Sequence, residues 1–450
     1  MARDGGRTDT IRTMDARDAA MRVLATHAER MPDLVPIEPR TDGMDPRDAA
    51  LAHALIDATL RRWITLGYLI GKAGGRDIRT LEPKMQAALA CGAAQLLLMD
   101  RIPDHAAIDE TVEWAKRRIR PKAGGMVNAI LRKVAGLRGE RLDAWDGGTG
   151  SIPLSDGGAL ALIGKRLPED EESRIGIACS LPRGLVKSWA RLGADLRELC
   201  LHTLVHPPTV CRLGPADISG DERFAPHASA GHAVYLGPRD RLGETLREHP
   251  GMSVQDAAAS EVVGGLHPEG ERVIVDLCAG RGTKTRQLLA KFPESRIVAC
   301  EVDADRLIAL RGVFAGESRV VVLHADEAVG RGQAWADLVL TDVPCSNSGV
   351  LPRRTEARYR VRSAAMARLI ETQRDILSNA ARMVRPGGRV IYSTCSLEPE
   401  ENADQAAWAQ ESLRLTVERE RAVLPVGGPG DDPSGYRDGS YAAEMRIPAG

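Results

Sequence analysis

No two cysteines stand as a CxxC pair in this 450-residue sequence. The eight cysteines lie apart, at 91, 179, 200, 211, 278, 300, 345 and 395, so a zinc site of the usual spacing is not expected. No apolar run approaches the roughly 18 residues that cross a bilayer. The N-terminal stretch MARDGGRTDTIRTMDARDAA alternates charges and has no apolar h-region, so it does not read as a secretory signal. Aromatics are scarce, with six Trp, six Tyr and three Phe, which leaves the cores to Ala, Leu, Val and Ile. Excess charge is also missing: 61 Lys and Arg face 62 Asp and Glu, for a net charge of −1. The chain is therefore no polycation, and any nucleic-acid surface must come from local clustering. With 43% hydrophobic residues, wholesale disorder is excluded. The expectation is a cytoplasmic, monomeric protein with free thiols, no metal and no membrane partner.

Three regions differ in pattern. Residues 16–140 read as helical. Ile108, Val112, Ala115 and Ile119 share one helix face, and Val127, Ile130, Leu131 and Val134 repeat the pattern. Leu51, Leu55, Ala58 and Trp63 mark an earlier helix, and Asp104 is placed to cap the helix that follows it. Gly74–Gly75 and Gly124–Gly125 read as punctuation between helices. The stretch 147–158 has five glycines in twelve positions and is expected to hold no regular element. The predicted boundaries are a helical domain at 1–145, a Gly-rich linker and connector at 146–180, a small mixed α/β subdomain at 181–265 and an α/β domain at 266–450. In the last, apolar runs at 272–277, 296–300, 319–323, 336–342 and 388–394 alternate with helix-like stretches such as 283–291, 304–312 and 366–384. That alternation predicts a parallel, doubly wound sheet, whose ligands sit at the carboxyl ends of strands.

Chemistry-bearing residues gather at those ends. The first strand runs into Asp276-Leu277-Cys278-Ala279-Gly280-Arg281-Gly282-Thr283-Lys284-Thr285, where glycines let the backbone turn sharply beside a ligand. Glu301 ends the second strand, 25 residues after Asp276, and suits the two hydroxyls of a ribose. Asp326 follows the third strand and Asp342 the fourth. The G-x-G-x-x-G dinucleotide pattern is incomplete, because position 285 is Thr. Acidic strand ends without a phosphate cradle favour S-adenosylmethionine over a pyrophosphate-bearing cofactor.

Two cysteines occupy two such ends, Cys345 after the fourth strand and Cys395 after the fifth. A thiolate is the nucleophile for an electron-poor ring. Carbon 5 of cytosine is too weak a nucleophile to take a methyl group directly. Thiolate addition at carbon 6 turns the ring into an enamine that can attack a methylsulfonium, and a neighbouring acid, here Asp342, is expected to stabilise the ring nitrogen.

The set DLCAGRGTKT (276–285), TDVPCSNSGVL (341–351) and YSTCSLEPEEN (392–402) resembles the bacterial RNA 5-methylcytosine methyltransferases, most closely the RsmB type (also called Sun or Fmu), which acts on 16S ribosomal RNA. PDHAAIDETVEWAKR (103–117) and GGMVNAILRKV (124–134) look like that type's NusB-like domain. LPRGLVKSWARLGAD (181–195), QDAAASEVVGGLHP (255–268) and DGSYAAEMR (438–446) look like its intervening region and closing strand. The resemblance implies a multidomain fold: an all-α NusB-like domain, a small mixed subdomain and a Rossmann-like class I methyltransferase domain. It also implies that Cys278 to Lys284 form the cofactor loop, and that Glu301, Asp326 and Asp342 contact cofactor or base. Cys395 would be the nucleophile, and Cys345 would assist release of methylated RNA. The sequence departs from the family pattern in three places. Arg281 and Thr283 replace a proline and a glycine, Glu301 replaces an aspartate, and Asn347-Ser348-Gly349 stands where G-T-G is usual.

Two basic clusters are candidates for the RNA surface. Residues 116–138 contain Lys116, Arg117, Arg118, Arg120, Lys122, Arg132, Lys133 and Arg138 and no acid, and residues 353–368 contain six Arg and one acid, Glu356. Tyr359 and Tyr392 are candidate stacking aromatics. The alternatives are the same chemistry on transfer RNA or another ribosomal site, an inactive RNA-binding assembly or antitermination factor, and a DNA cytosine methyltransferase. The paired cysteines argue against the inactive factor, and the T-C-S motif and helical domain against the DNA enzyme.

Overall fold

The computed structural model describes residues 15–361 and 364–449. The charged N-terminal stretch therefore lies mostly outside the described residues, as does Arg362. The chain forms two compact units, and each is described by itself.

The first unit extends to Arg183. Its helices are α1 (Ala16–Arg30), α2 (Pro46–Arg61), α3 (Trp63–Gly74), α4 (Pro83–Leu98), α5 (Asp104–Arg118) and α6 (Ala123–Ala135). Helix α4 is the buried centre: its residues from Met85 to Leu97 are shielded, and Ala, Gly and Cys dominate it, so the neighbours approach closely. Asp104 does not cap α5. It is the first helical residue, preceded by Pro103, whose fixed φ of −62° presets the start. Trp63 opens a second helix rather than continuing α2. Gly124–Gly125 lies inside α6, where a Cβ at Gly124 would meet the Lys116 side chain of α5 at 2.7 Å. The glycine-rich 147–158 stretch is no structureless linker. Strands β1 (Arg138–Leu142), β2 (Ser151–Pro153) and β3 (Ala159–Leu162) form a three-stranded antiparallel sheet. Burial of Ile152, Ala159 and Leu160 outweighs the entropic cost of the glycines, which are confined to the turns. Helix α7 (Glu171–Ala178) follows in the same unit.

The second unit begins with a mixed region. It holds α8 (Arg183–Trp189), α9 (Leu196–His202), β4 (Thr209–Arg212), β5 (Phe224–Pro226), β6 (His232–Tyr235), α10 (Leu242–Glu248), β7 (Ser253–Val254) and α11 (Ala257–Gly264), with the four strands in order β5-β6-β4-β7. The large sheet follows: β8 (Val273–Asp276), α12 (Thr283–Lys291), β9 (Arg296–Glu301), α13 (Ala304–Val313), β10 (Val320–His324), α14 (Ala325–Val329), β11 (Ala336–Asp342), α15 (Ala364–Met383), β12 (Val384–Thr394), α16 (Ala403–Leu413), β13 (Thr416–Val423) and β14 (Ser440–Arg446). Strand order is β10-β9-β8-β11-β12-β14-β13, with β8 to β12 parallel and β14 antiparallel to both neighbours.

Consecutive residues of the parallel strands serve opposite faces. Val275, Val298, Val339 and Val390 join one core with Leu377, Ala380 and Met383 of α15 and Ala406 and Ala409 of α16. Ile274, Ile297, Leu338 and Ile391 join another with Leu288 and Phe292 on the α12 side and Val262 and Val263 of α11. Both faces are covered, which is why these strands read as unbroken apolar runs. The chain order reverses between β8 and β11, so their carboxyl ends open a crevice.

Candidate active site

The loop after β8 holds its shape through two left-handed glycines. Gly280 has φ +57° and Gly282 φ +81°. A Cβ on Gly282 would come within 2.6 Å of the Phe314 ring, whereas one on Gly280 would meet nothing, leaving that side of the loop open. Arg281 is exposed, and Thr283 is the first residue of α12, so neither departure from the family pattern requires a conformation its residue resists. Thr285 Oγ1 donates to Asp276 Oδ2 at 2.6 Å, while Asp276 Oδ1 is buried without a partner. Burial pushes the Asp276 carboxyl up to about 7.

Glu301 ends β9 almost fully buried, and its Oε1 accepts from Val302 N and Asp303 N, both at 2.9 Å. Those bonds fix the carboxylate at the strand end despite the extra methylene. Asp303 is committed elsewhere, capping α13 through Arg306 N. Asp326 lies in the first turn of α14 with its side chain 89% exposed. An open glycine backbone, a fixed buried carboxylate and an unpartnered acceptor at one sheet edge suit a nucleoside bearing an amino acid.

At the end of β11, Asp342 Oδ2 accepts from Lys284 Nζ at 2.7 Å and Oδ1 from Ser393 Oγ at 2.8 Å. Burial opposes the charge on Lys284, but Asp342 outweighs it and holds the ammonium pKa above its usual value, with a smaller contribution from Cys395. Asp342 thus joins the cofactor loop to the cysteine pair.

Register explains the pair itself. Asp342 lies opposite Ser393 in the parallel β11–β12 ladder, so the chain leaves both strands at the same level. Cys345 Sγ and Cys395 Sγ are 3.2 Å apart, both as free thiols. Cys395 is partly exposed and donates to Asn347 Oδ1 at 3.3 Å, whereas Cys345 is buried. The contact with Cys395 and then burial push the Cys345 thiol well above its usual range. Asn347 has φ +63°, which explains why glycine is usual there and why asparagine serves. Gly349 must remain glycine, since a Cβ would meet Gly439 O at 2.8 Å and Cys395 O at 2.9 Å.

Some expected residues are placed otherwise. Tyr359 and Tyr392 are buried and offer no stacking face, and the Tyr392 hydroxyl donates to Glu401 O at 2.7 Å. In the second basic cluster, Arg358 is fully buried, and Arg353 donates to Asp438 at 2.6 Å and to Pro208 O at 3.1 Å. Arg354 and Arg368 are exposed. In the first cluster, Arg118 pairs with buried Asp18, Lys116 with Glu113, Arg120 with Glu82 and Arg138 with Asp100. Arg117, Lys122 and Lys133 remain exposed. Asn347, Ser393 and Glu401 entered the site unforeseen. All three lie inside the motifs, but nothing in spacing separates them from neighbours that point elsewhere. Among the described residues there is no group of three His, Cys, Asp or Glu that could hold a metal, and no helix is long and apolar enough to cross a membrane.

Comparison with known proteins settles the family. Residues 263–421 match the model of the 16S rRNA methyltransferase RsmB/F family, and residues 14–136 match the NusB family. Over 371 residues the chain is 31% identical to ribosomal RNA small subunit methyltransferase B of Vibrio cholerae serotype O1, covering 79% of this chain and 80% of the relative. The chain belongs to that methyltransferase family. A relative of the same name from Escherichia coli O6:K15:H31 is 28% identical over 407 residues, 88% of each chain. The crystal structure of PH0851 shares the fold, with a TM-score of 0.68 at 20% identity over 96% of this chain and 98% of that one. The helical N-terminal region is thus a NusB domain and the large sheet a Rossmann-like methyltransferase domain. Membership makes the protein an S-adenosylmethionine-dependent RNA methyltransferase with ribosomal RNA as substrate.

Proposed function

We propose that the protein methylates carbon 5 of a cytosine in small-subunit ribosomal RNA through a covalent adduct with Cys395. The observation that carries this reading is the thiol pair, 3.2 Å apart at adjacent strand ends next to the Lys284–Asp342 ion pair. One sulfur suffices to bond carbon 6. A second within contact distance calls for a second task in the same cycle.

Gly280 to Lys284 and Glu301 would hold S-adenosylmethionine, with Glu301 on the ribose and Asp326 towards the base. When bound, it supplies a methyl group on a positively charged sulfur. The protein's residues do the rest. Cys395, the more exposed thiol, gives up its proton to solvent and adds to carbon 6, and the ring's electron pair moves towards N3, where Asp342 relays a proton from the Lys284 ammonium that donates to it. Until that transfer, Lys284 keeps a cation beside Cys395. Carbon 5 then carries the methyl and one hydrogen. Loss of that hydrogen as a proton to solvent re-forms the carbon 5–carbon 6 double bond and expels Cys395, and N3 returns its proton through Asp342 to Lys284. Cys345, held as a thiol, supplies a proton to the departing sulfur. Small-subunit RNA incubated with the enzyme and S-adenosylmethionine, then digested to nucleosides, should yield 5-methylcytidine. Methylation of a cytosine nitrogen or of another base would overturn the reading.

The Glu301→Ala variant should bind S-adenosylmethionine about 10–100-fold more weakly by calorimetry, the cost of losing a charged hydrogen-bond partner of roughly 1.5–3 kcal/mol. Unchanged affinity would remove Glu301 from the site. The NusB domain is proposed to add RNA affinity through Arg117, Lys122 and Lys133, three exposed members of the first cluster. Neutralising these three, and sparing Arg118 because it pairs with buried Asp18, should lower the slope of log affinity against log salt by as much as about 2 to 3. An unchanged slope would leave the cluster as a solvated face.

A further inference from the structure

The T-C-S motif continues into a run of acids, and two of them, Glu398 and Glu401, are fully enclosed. Glu401, in the short 3-10 turn Pro399–Glu401, has no exposed surface. Four donors converge on its two carboxylate oxygens. Oε1 accepts from Ser346 N at 2.8 Å and Gln373 Nε2 at 3.0 Å, and Oε2 accepts from Ser346 Oγ at 2.5 Å and Ser396 Oγ at 2.6 Å. Ser346 follows Cys345 and Ser396 follows Cys395. One side chain therefore ties the residue after each cysteine to a common point, although the two loops are 50 residues apart in sequence. Gln373 anchors the same carboxylate to α15 and also donates to Pro344 O at 3.0 Å, one residue before Cys345. Ser348 Oγ contacts Ser396 Oγ at 3.1 Å and accepts from Leu397 N at 2.8 Å, which tightens the link.

We propose that Glu401 is a positioning residue for methyl transfer: a single buried carboxylate that fixes the two cysteine loops to each other and thereby sets which sulfur acts as nucleophile. A neutral tether would fix distance alone. A carboxylate also sets charge, because it disfavours a second negative charge nearby. The groups facing Cys345 are Cys395 at 3.2 Å, Glu401 and the buried Tyr392 phenol, while the Lys284–Asp342 pair stands by Cys395. Glu401 adds to the effects of Cys395 and burial that keep Cys345 protonated. The proton stays on the enclosed sulfur, and the more open sulfur is left to attack.

The inference rests on the two-thiol reading above, so its first test is made on the enzyme without RNA. Full-length wild type, Glu401→Gln and Glu401→Asp are labelled with substoichiometric iodoacetamide across a pH series, and labelling at each cysteine is quantified by peptide mass spectrometry. Wild type should label at Cys395, with Cys345 reacting only at high pH. In Glu401→Gln the onset of Cys345 labelling should fall by about 1–3 pH units, the scale of one nearby charge in a protein interior. Glu401→Asp, which restores the charge, should return the onset towards wild type. In turnover, kcat of Glu401→Gln should fall about tenfold with KM for RNA unchanged, the pattern of a group that matters only in the transition state. Should Glu401→Gln fail to fold, Ser396→Ala, which cuts one arm of the clamp, should lower kcat in the same way. Unchanged Cys345 onset in a folded Glu401→Gln, or unchanged kcat in either variant, overturns the proposal. An RNA adduct that survives Cys395→Ala would instead sink the two-thiol reading and leave the labelling result standing.

Discussion

Replacing Cys395 with alanine is expected to abolish turnover and the covalent RNA complex together, whereas replacing Cys345 should abolish turnover and make that complex accumulate. The asymmetry follows from the geometry. Two sulfurs 3.2 Å apart can flank one pyrimidine ring, but only one can bond carbon 6. Cys395 is the more accessible, and its neighbourhood includes the Lys284 cation. Cys345 is enclosed and held as a thiol by its contact with Cys395 and by burial. Without Cys395 no carbon–sulfur bond forms. Without Cys345 the bond forms and the methyl is transferred, but elimination stalls. The retained adduct should appear as a slower band on a denaturing gel of Cys345→Ala with RNA and S-adenosylmethionine. A slower band from Cys395→Ala, or none from Cys345→Ala, would reverse the roles.

The second large effect is expected at Asp342. Its carboxylate spans the site, accepting from Lys284 at 2.7 Å and from Ser393 at 2.8 Å. Asp342→Asn keeps the shape but removes the proton-transfer group at the ring nitrogen, which is worth about 10²–10⁴-fold in rate. It also leaves Lys284, whose side chain is 15% exposed, without its anion. Single-turnover methylation should slow by that factor, and the adduct should fail to form even in a Cys345→Ala background. A rate close to wild type, or an adduct formed at normal speed, would take Asp342 out of the chemistry.

The α/β domain was legible because its signals are local. Strands buried on both faces must be apolar throughout, so β8 to β12 stood out, and the motifs at their ends followed from chain direction alone. Strand β13 was not legible. Its sequence TVERERAV is mostly exposed at the sheet edge and carries no apolar run. The small sheet of β1 to β3 was hidden for another reason: its glycines look like a linker, and only long-range burial of Ile152 and Leu160 makes the strands. Counting charges also misled. Arg358 and Arg118 belong to the same runs as Arg354 and Arg117, yet one of each pair is spent inside the protein or on a buried aspartate. Tyr392 failed as a stacking candidate because it is a core residue of β12. Glu401 could not be told from Glu400, since the difference is which of two adjacent side chains turns inward.

RNA carrying 5-fluorocytidine tests the central claim most directly, using the wild-type enzyme. After methyl transfer, a fluorine at carbon 5 cannot leave as a proton does, so the carbon–sulfur bond persists. The trapped complex is digested with protease and nuclease, and the modified peptide is sequenced by mass spectrometry. The account predicts one methylated fluorocytosine joined to Cys395. A base joined to Cys345, or no trapped complex with active enzyme, would contradict it.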